Sequence, residues 1–386
     1  PDLLAERKTH LNSGRFCVLT MGSTLNLVDG STYTSINGRV YLPNLRHIDG
    51  WASTVAVKNN TDNAANVKFV FRDANGANIC GGNYPLAAQQ RIVLNISCSL
   101  PMAVGYVDSD QDISVAATNQ KPSPTVRGAH TGVSASVVWG PFNLPLVIKR
   151  RATASGIADS DIFIQNATSV AANIQVQLVA SPGSGYSNYT KSFYLPAYGA
   201  VRYILKNDSS IPDGWVGSAV INNGTFAVVS DFFSWDGQTD FAFGGYPPES
   251  KTSNWFVPMF LVRRATLTGV ASTPINVQNL TGSGISISAG EMVLNCKAEP
   301  GSGYSDFTVA NPVAVSDNAS YSFNPVTDTS LFPVDGWYGS CQLSVPSSKK
   351  VIVLAQIRYP ANYNASAYEA IRIERVGPIK VGYAFE

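Results

Sequence analysis

The sequence contains a duplication. Arg150-Arg151-Ala152-Thr153 returns as Arg263-Arg264-Ala265-Thr266, and Gln165-Asn166-Ala167-Thr168 returns at the same spacing as Gln278-Asn279-Leu280-Thr281. Pro182-Gly183-Ser184-Gly185-Tyr186-Ser187 recurs at residues 300–305, and Asp213-Gly214-Trp215-Val216-Gly217-Ser218 recurs as Asp335-Gly336-Trp337-Tyr338-Gly339-Ser340. Landmarks kept in one order over such a length mark a tandem array whose repeats are single structural units. A more diverged copy lies upstream. There Lys58-Asn59-Asn60-Thr61 stands for residues 165–168, Leu100-Pro101 stands for Ile211-Pro212, and Val104 falls near the place of Trp215.

A chain of 386 residues ordinarily divides into two or three domains, and a repeat of about 110 residues has the size of a β-sandwich. Runs such as Thr54-Val55-Ala56-Val57 and Val67-Lys68-Phe69-Val70-Phe71 alternate as strands do, and turn clusters such as Asp73-Ala74-Asn75-Gly76 separate them. Helical periodicity is confined to a short stretch at residues 5–10. The expected fold is all-β, with three tandem Ig-like or jelly-roll-like antiparallel sandwiches at 40–140, 141–253 and 254–376. An extended arm at 1–39 precedes them, with a strand at Arg15-Phe16-Cys17-Val18-Leu19-Thr20, and a connector strand at 377–386 follows. Leu42-Pro43, Leu144-Pro145 and Val257-Pro258 mark the module entrances, where a proline without an N–H suits an edge or a crossing.

Only 14% of the residues are charged, against about 25% in an average soluble domain, so Ser, Thr, Asn and Gly cover a surface suited to contact with other protein. A net charge of +1 with scattered signs lacks the footprint of a nucleic-acid binder. No apolar run is long enough to span a membrane. Residues 1–6 have neither the charged start nor the apolar centre of a signal peptide, so export implies a leader already removed. Nine Asn-x-Ser/Thr sequons, at Asn59, Asn95, Asn166, Asn188, Asn207, Asn223, Asn279, Asn318 and Asn364, are candidate glycosylation sites and favour export. A chain this rich in Asn, Ser and Thr also makes such triplets by chance.

Of five cysteines, Cys80 with Cys98 and Cys296 with Cys341 fall within single modules and are the expected disulfides, which would mean an oxidising compartment. Cys17 is left over, and the competing reading is five reduced, buried thiols. His10, His47 and His130 share no metal-binding spacing, and no Gly-x-Ser-x-Gly elbow occurs. Asp108, Asp110 and Asp112 form a row with oxygen ligands for Ca²⁺, as Asp159 and Asp161 do more weakly, but the glycine and distal glutamate of a calcium loop are missing. A solvated turn fits better. The glycine-rich 182–185 loop lacks the Lys-Ser/Thr of a phosphate cradle and reads as a hairpin. Trp215 and Trp337 are read as core residues, with a sugar-stacking platform as the alternative. No catalytic, metal or cofactor residue is expected.

The Leu144-Pro145 entrance, the Asn166-Ala167-Thr168 corner, the Asp-Gly-Trp-x-Gly-Ser turn at 213–218 and the tail Ala367-Tyr368-Glu369-Ala370 together resemble the tandem β-sandwich repeats of secreted surface proteins from filamentous bacteria. The resemblance covers residues 40–386 and implies a module, not an activity. The expected protein is a non-enzymatic extracellular subunit of a homopolymeric filament, sheath or surface layer, joined to itself head-to-tail through its terminal strands. The alternative is a cell-surface adhesin that binds glycans.

Overall fold

A computed structural model describes residues 38–46, 50–96, 102–122, 125–153, 156–234, 239–267, 269–359 and 364–372. The protein is all-β, 59% strand, and every sheet is antiparallel, with no α-helix among the described residues. Residues 5–10, 15–20 and 377–386 lie outside the described residues, so the weak helical candidate and the two expected terminal strands do too.

The first stretch of chain forms β1 (Gly38–Arg46), β2 (Ala52–Asn59), β3 (Ala65–Arg72), β4 (Asn78–Leu86), β5 (Arg91–Asn95), β6 (Met102–Ser109), β7 (Ile113–Pro122), β8 (Thr125–Thr131) and β9 (Val133–Ser134). The second forms β10 (Phe142–Ile148), β11 (Arg151–Thr153), β12 (Gly156–Asn166), β13 (Ala172–Ala180), β14 (Tyr189–Leu195), β15 (Ala200–Ile204), β16 (Val216–Asn222), β17 (Phe226–Ser234) and β18 (Thr239–Gly244). The third forms β19 (Asn254–Leu261), β20 (Arg264–Thr266), β21 (Gly269–Ala271), β22 (Ile275–Asn279), β23 (Val293–Ala298), β24 (Phe307–Ala310), β25 (Ser320–Phe323), β26 (Tyr338–Ser344), β27 (Val351–Tyr359), β28 (Asn364–Glu369) and β29 (Ile371–Arg372).

One sheet of each stretch runs β4-β3-β6-β1-β9, β14-β13-β16-β10 or β24-β23-β26-β19-β29. The other runs β5-β2-β7-β8, β15-β12-β17-β18 or β25-β22-β27-β28. The two sheets share a core because alternate residues face inward. In β3, Val67, Phe69 and Phe71 meet Val55 and Val57 of β2. In β13, Ile174, Val176 and Leu178 meet Ile162 and Ile164 of β12. Strand β27 is buried from Val351 to Ile357, which is why residues 351–355 are a continuous apolar run and not an alternating one.

The entrance prolines sit inside bulges, and Pro145 does so on an edge strand as expected, since β10 ends its sheet. The ladder from each entry strand to its neighbour shifts register between Leu42 and Leu45, Leu144 and Val147, and Val257 and Phe260, so Pro43, Pro145 and Pro258 lie inside bulges. A bulge leaves a residue out of the ladder, and the missing N–H costs nothing there. A hydroxyl then secures the backbone just past each bulge: Ser53 Oγ accepts from Arg46 N at 2.6 Å, Ser160 Oγ from Ile148 N at 3.1 Å and Thr273 Oγ1 from Leu261 N at 3.1 Å.

Candidate functional site

The Asn-x-Thr corners are brackets. Asn59 Nδ2 donates to the carbonyls of Asn63 and Ala87, Asn166 Nδ2 to those of Val170 and Pro196, and Asn279 Nδ2 to those of Ile285 and Val315. Each Oδ1 accepts from the backbone N–H and the hydroxyl of the threonine two residues on. All three side chains are buried. Each amide uses all of its hydrogen-bonding capacity where water cannot substitute for a lost partner, which explains why the triplet recurs. A glycan on these nitrogens is incompatible with the folded corner, so Asn59, Asn166 and Asn279 are corrected from sugar sites to structural ones. Asn95, Asn188, Asn207 and Asn223 are exposed, Asn318 is half-buried, and Asn364 opens β28.

The Arg-Arg-Ala-Thr and Asp-Gly-Trp motifs meet each other. Arg151 Nη1 donates to the Gly214 carbonyl and Arg264 Nη1 to that of Gly336, while Arg150 pairs with Asp213 at 3.0 Å and Arg263 with Asp335 at 2.5 Å. Arg150 and Arg263 take a left-handed backbone, at φ 41° and 42°, and their N–H groups are held by Asp159 Oδ1 and Ser272 Oγ. Burial pushes the Asp159 carboxyl above its ordinary range although that N–H opposes it. Trp215 and Trp337 are 0% and 1% exposed, with indole N–H groups donating to the Ser187 and Ser305 carbonyls. They fill the cores and offer no sugar platform. Beyond them, a Cβ at Gly217 or Gly339 would come within 2.1 Å of Val179 O or 2.0 Å of Lys297 O. Pairing of Ala103 with Leu45 matches that of Gly217 with Val147, so in the first stretch the tryptophan's place falls at Pro101, outside the described residues, and not near Val104.

The acidic row is dispersed among partners. Asp108 takes Arg39 in a two-point pair at 2.7 and 3.0 Å, and Asp110 accepts from the N–H and Nδ2 of Asn66, which hold its carboxyl below the usual range. Asp161 pairs with Arg202 at 2.5 Å. Among the described residues no three His, Cys, Asp or Glu side chains converge as metal ligands. His130 is buried, its ring nitrogens beside the carbonyls of Asn44 and Thr131, and desolvation lowers its pKa. His10 and His47 lie outside the described residues. A recess of about 370 Å³ opens on the β3-β4 edge, lined by Lys68, Val70, Ile79, Gly81 and Tyr106, without a nucleophile beside a base.

Cys296 and Cys341 face each other across β23 and β26 and form a disulfide with an S–S distance of 2.06 Å. Cys80 is disulfide-bonded as well, while Cys98 and Cys17 lie outside the described residues.

The surface of greatest interest is the one on which successive stretches meet. On the second stretch, Phe163, Gln165 and Ala200 form a face of the β15-β12-β17 sheet that the first stretch covers. Arg46 stacks over Phe163 at 5.2 Å, Ala200 N donates to the Ala74 carbonyl at 2.9 Å, and Tyr41 donates its hydroxyl hydrogen to the Ala167 carbonyl at 2.8 Å. On the third, the matching residues Asn276, Gln278 and Ser320 are covered by the second: Ser320 Oγ donates to Pro145 O at 2.6 Å and Ser218 Oγ to Asn318 O at 2.5 Å. Strand β18 lies beside both β8 and β28. None of these contacts is legible in a single repeat, since each joins residues a hundred or more positions apart. Neither a model of a protein family nor a curated protein matches the chain.

Proposed function

We propose that the chain is three tandem β-sandwiches built as a stiff rod, and that it serves as a non-enzymatic structural subunit outside the cell, in a filament, sheath or surface layer. The observation that carries this reading is where the repeated motifs act. The Asn-x-Thr corners, the arginine hairpins and the Asp-Gly-Trp turns all brace backbone, and the face between stretches one and two recurs between two and three. Repetition of joints is what a load-bearing array requires. The motifs that resemble secreted surface repeats agree with this reading, as does the Cys296–Cys341 bond, which an oxidising compartment maintains. Sugars, where added, belong on the exposed Asn95, Asn188, Asn207 and Asn223.

Copies join head-to-tail through the terminal strands at 15–20 and 377–386, which yields an open filament unless the rotation closes a ring. The adhesin alternative rests on exposed aromatics as well as on export signals, and burial of Trp215 and Trp337 removes the first of these. The test is light scattering and electron microscopy of the full chain and of a form lacking residues 1–37. Concentration-dependent rods that the truncation abolishes are expected. A full chain that stays monomeric at high concentration overturns the reading.

A further inference from the structure

The face covered on the second and third stretches has a counterpart on the first. Register places Ala56, Lys58 and Arg91 where the second stretch has Phe163, Gln165 and Ala200. Val93, opposite Ala56 on the edge strand β5, is 48% exposed, and β5 alternates exposed and half-buried residues throughout. No preceding sandwich exists in the described chain to cover it. Strand β1 begins at Gly38, opposite Ser109, beside the turn in which Gln111 Oε1 accepts from Thr61 Oγ1. Thr61 O in turn accepts from Gln89 N, two residues before β5. The preceding 37 residues therefore join the described chain at the corner next to the open face.

We propose that this N-terminal segment, residues 1–37, docks on the face around the exposed Val93 and the half-buried Lys58, beside the buried Ala56, in the role that the preceding sandwich has on the other two stretches. An apolar edge strand left open is a template for pairing. A strand of β5's length spans roughly 17 Å, and 37 residues reach several times that. The rival occupant is the third stretch of another copy, repeating the joint between stretches. Its matching face argues against it: Lys297, Gln342 and Met259 stand where Val179, Val220 and Leu146 make the covering face of the second stretch. Lys297, paired with Asp306 at 2.7 Å, would have to lose water together with its partner where the second stretch presents the apolar Val179, and desolvating an ion pair opposes docking.

The inference rests on the proposed function only in whose segment is bound. A photo-crosslinking amino acid in place of Val93, in the full chain, tests it by peptide mapping, with the same probe at Ile79 on the other sheet as the control. Adducts into residues 1–37 from position 93, lost from position 79, are expected. Absence of adducts from position 93, or adducts into the third stretch around Lys297, overturns the proposal. Adducts confined to single chains at every concentration leave the docking site standing and remove arm exchange between copies. Dimer-sized adducts that rise with concentration support both.

Discussion

In the second stretch a lysine closes the loop that leads into the Asp-Gly-Trp turn, whereas in the third an arginine one position further along does so. Lys149 Nζ donates to the carbonyls of Asp208 and Ile211, both at 2.6 Å. At its place in the third stretch stands Val262, and Arg263 reaches back to the carbonyls of Pro325 and Phe332 while also holding Asp335. The glycine N–H that follows is bound alike, by Lys149 O in one and Val262 O in the other. A similar exchange occurs in the core, where Leu178 beside Ala219 is replaced by the disulfide between Cys296 and Cys341. The two copies therefore preserve what must be done for the backbone and let the side chain that does it change. A carbonyl buried without a donor is costly, and any donor that arrives at the right place relieves it.

The strongest way to break this comparison is to remove the tryptophans. Trp215→Ala and Trp337→Ala are each expected to cost about 3–5 kcal/mol, read as loss of hydrogen-exchange protection in the affected stretch. Trp337 should cost more by about 1 kcal/mol, because it meets Phe307 and Phe260 edge-on at 4.7 and 6.2 Å, and Phe260 stands where the second stretch has Val147. Equal losses would mean that the aromatic cluster adds nothing. Next in size is the core exchange. Cys296→Leu with Cys341→Ala installs the second stretch's pair, and the third should lose about 3–4 kcal/mol of cross-link stabilisation with its fold intact, measured by thermal unfolding with and without reductant.

Removing the loop donors sharpens the comparison further. Lys149→Met and Arg263→Met should each cost about 1–3 kcal/mol, since each leaves two carbonyls without their donor. If Arg263→Met alone is destabilising, Lys149 is not its counterpart. The smallest effect is acid dependence at Asp208. Burial alone would raise this carboxyl, but hydrogen bonds from Lys191, Ser210 and Tyr203 outweigh it and hold the group well below the usual carboxylate range. A depressed value stabilises the fold above the unfolded carboxylate's pKa of about 3.9, and that stability is lost as the pH falls through the lower folded value. The stability gap between the protein and Asp208→Asn, read from chemical denaturation, should therefore close from about pH 5 downward. A gap that widens in acid would show the sign to be wrong.

The strands were legible because the core demands alternation: residues 67–71 read as a strand in sequence and form the middle of β3. The duplication was legible because brackets of several partners tolerate little change, as at Asn166 and Asn279. What a local pattern cannot reveal is the job. Asn-x-Thr is equally a sequon and a corner, and only burial of the amide separates the two. A proline ahead of an apolar strand looks the same at an edge and in a bulge, since both excuse the missing N–H. The joints between stretches were hidden for another reason. Tyr41 and Ala167, or Ser218 and Asn318, are ordinary residues in their own stretches and become partners only when two stretches are in place.

In every stretch the entry strand is paired with the exit. Val40 lies against Ser134, Asn143 against Tyr246, and Trp255 against Arg372. Antiparallel partners of this kind are about 5 Å apart at their Cα atoms. A length of chain that leaves from the place it arrived can be cut out, or copied in, with almost no gap to bridge. Recombination could therefore lengthen such a chain in whole units, and the chemistry of the faces that meet between units would be the part left to adjust.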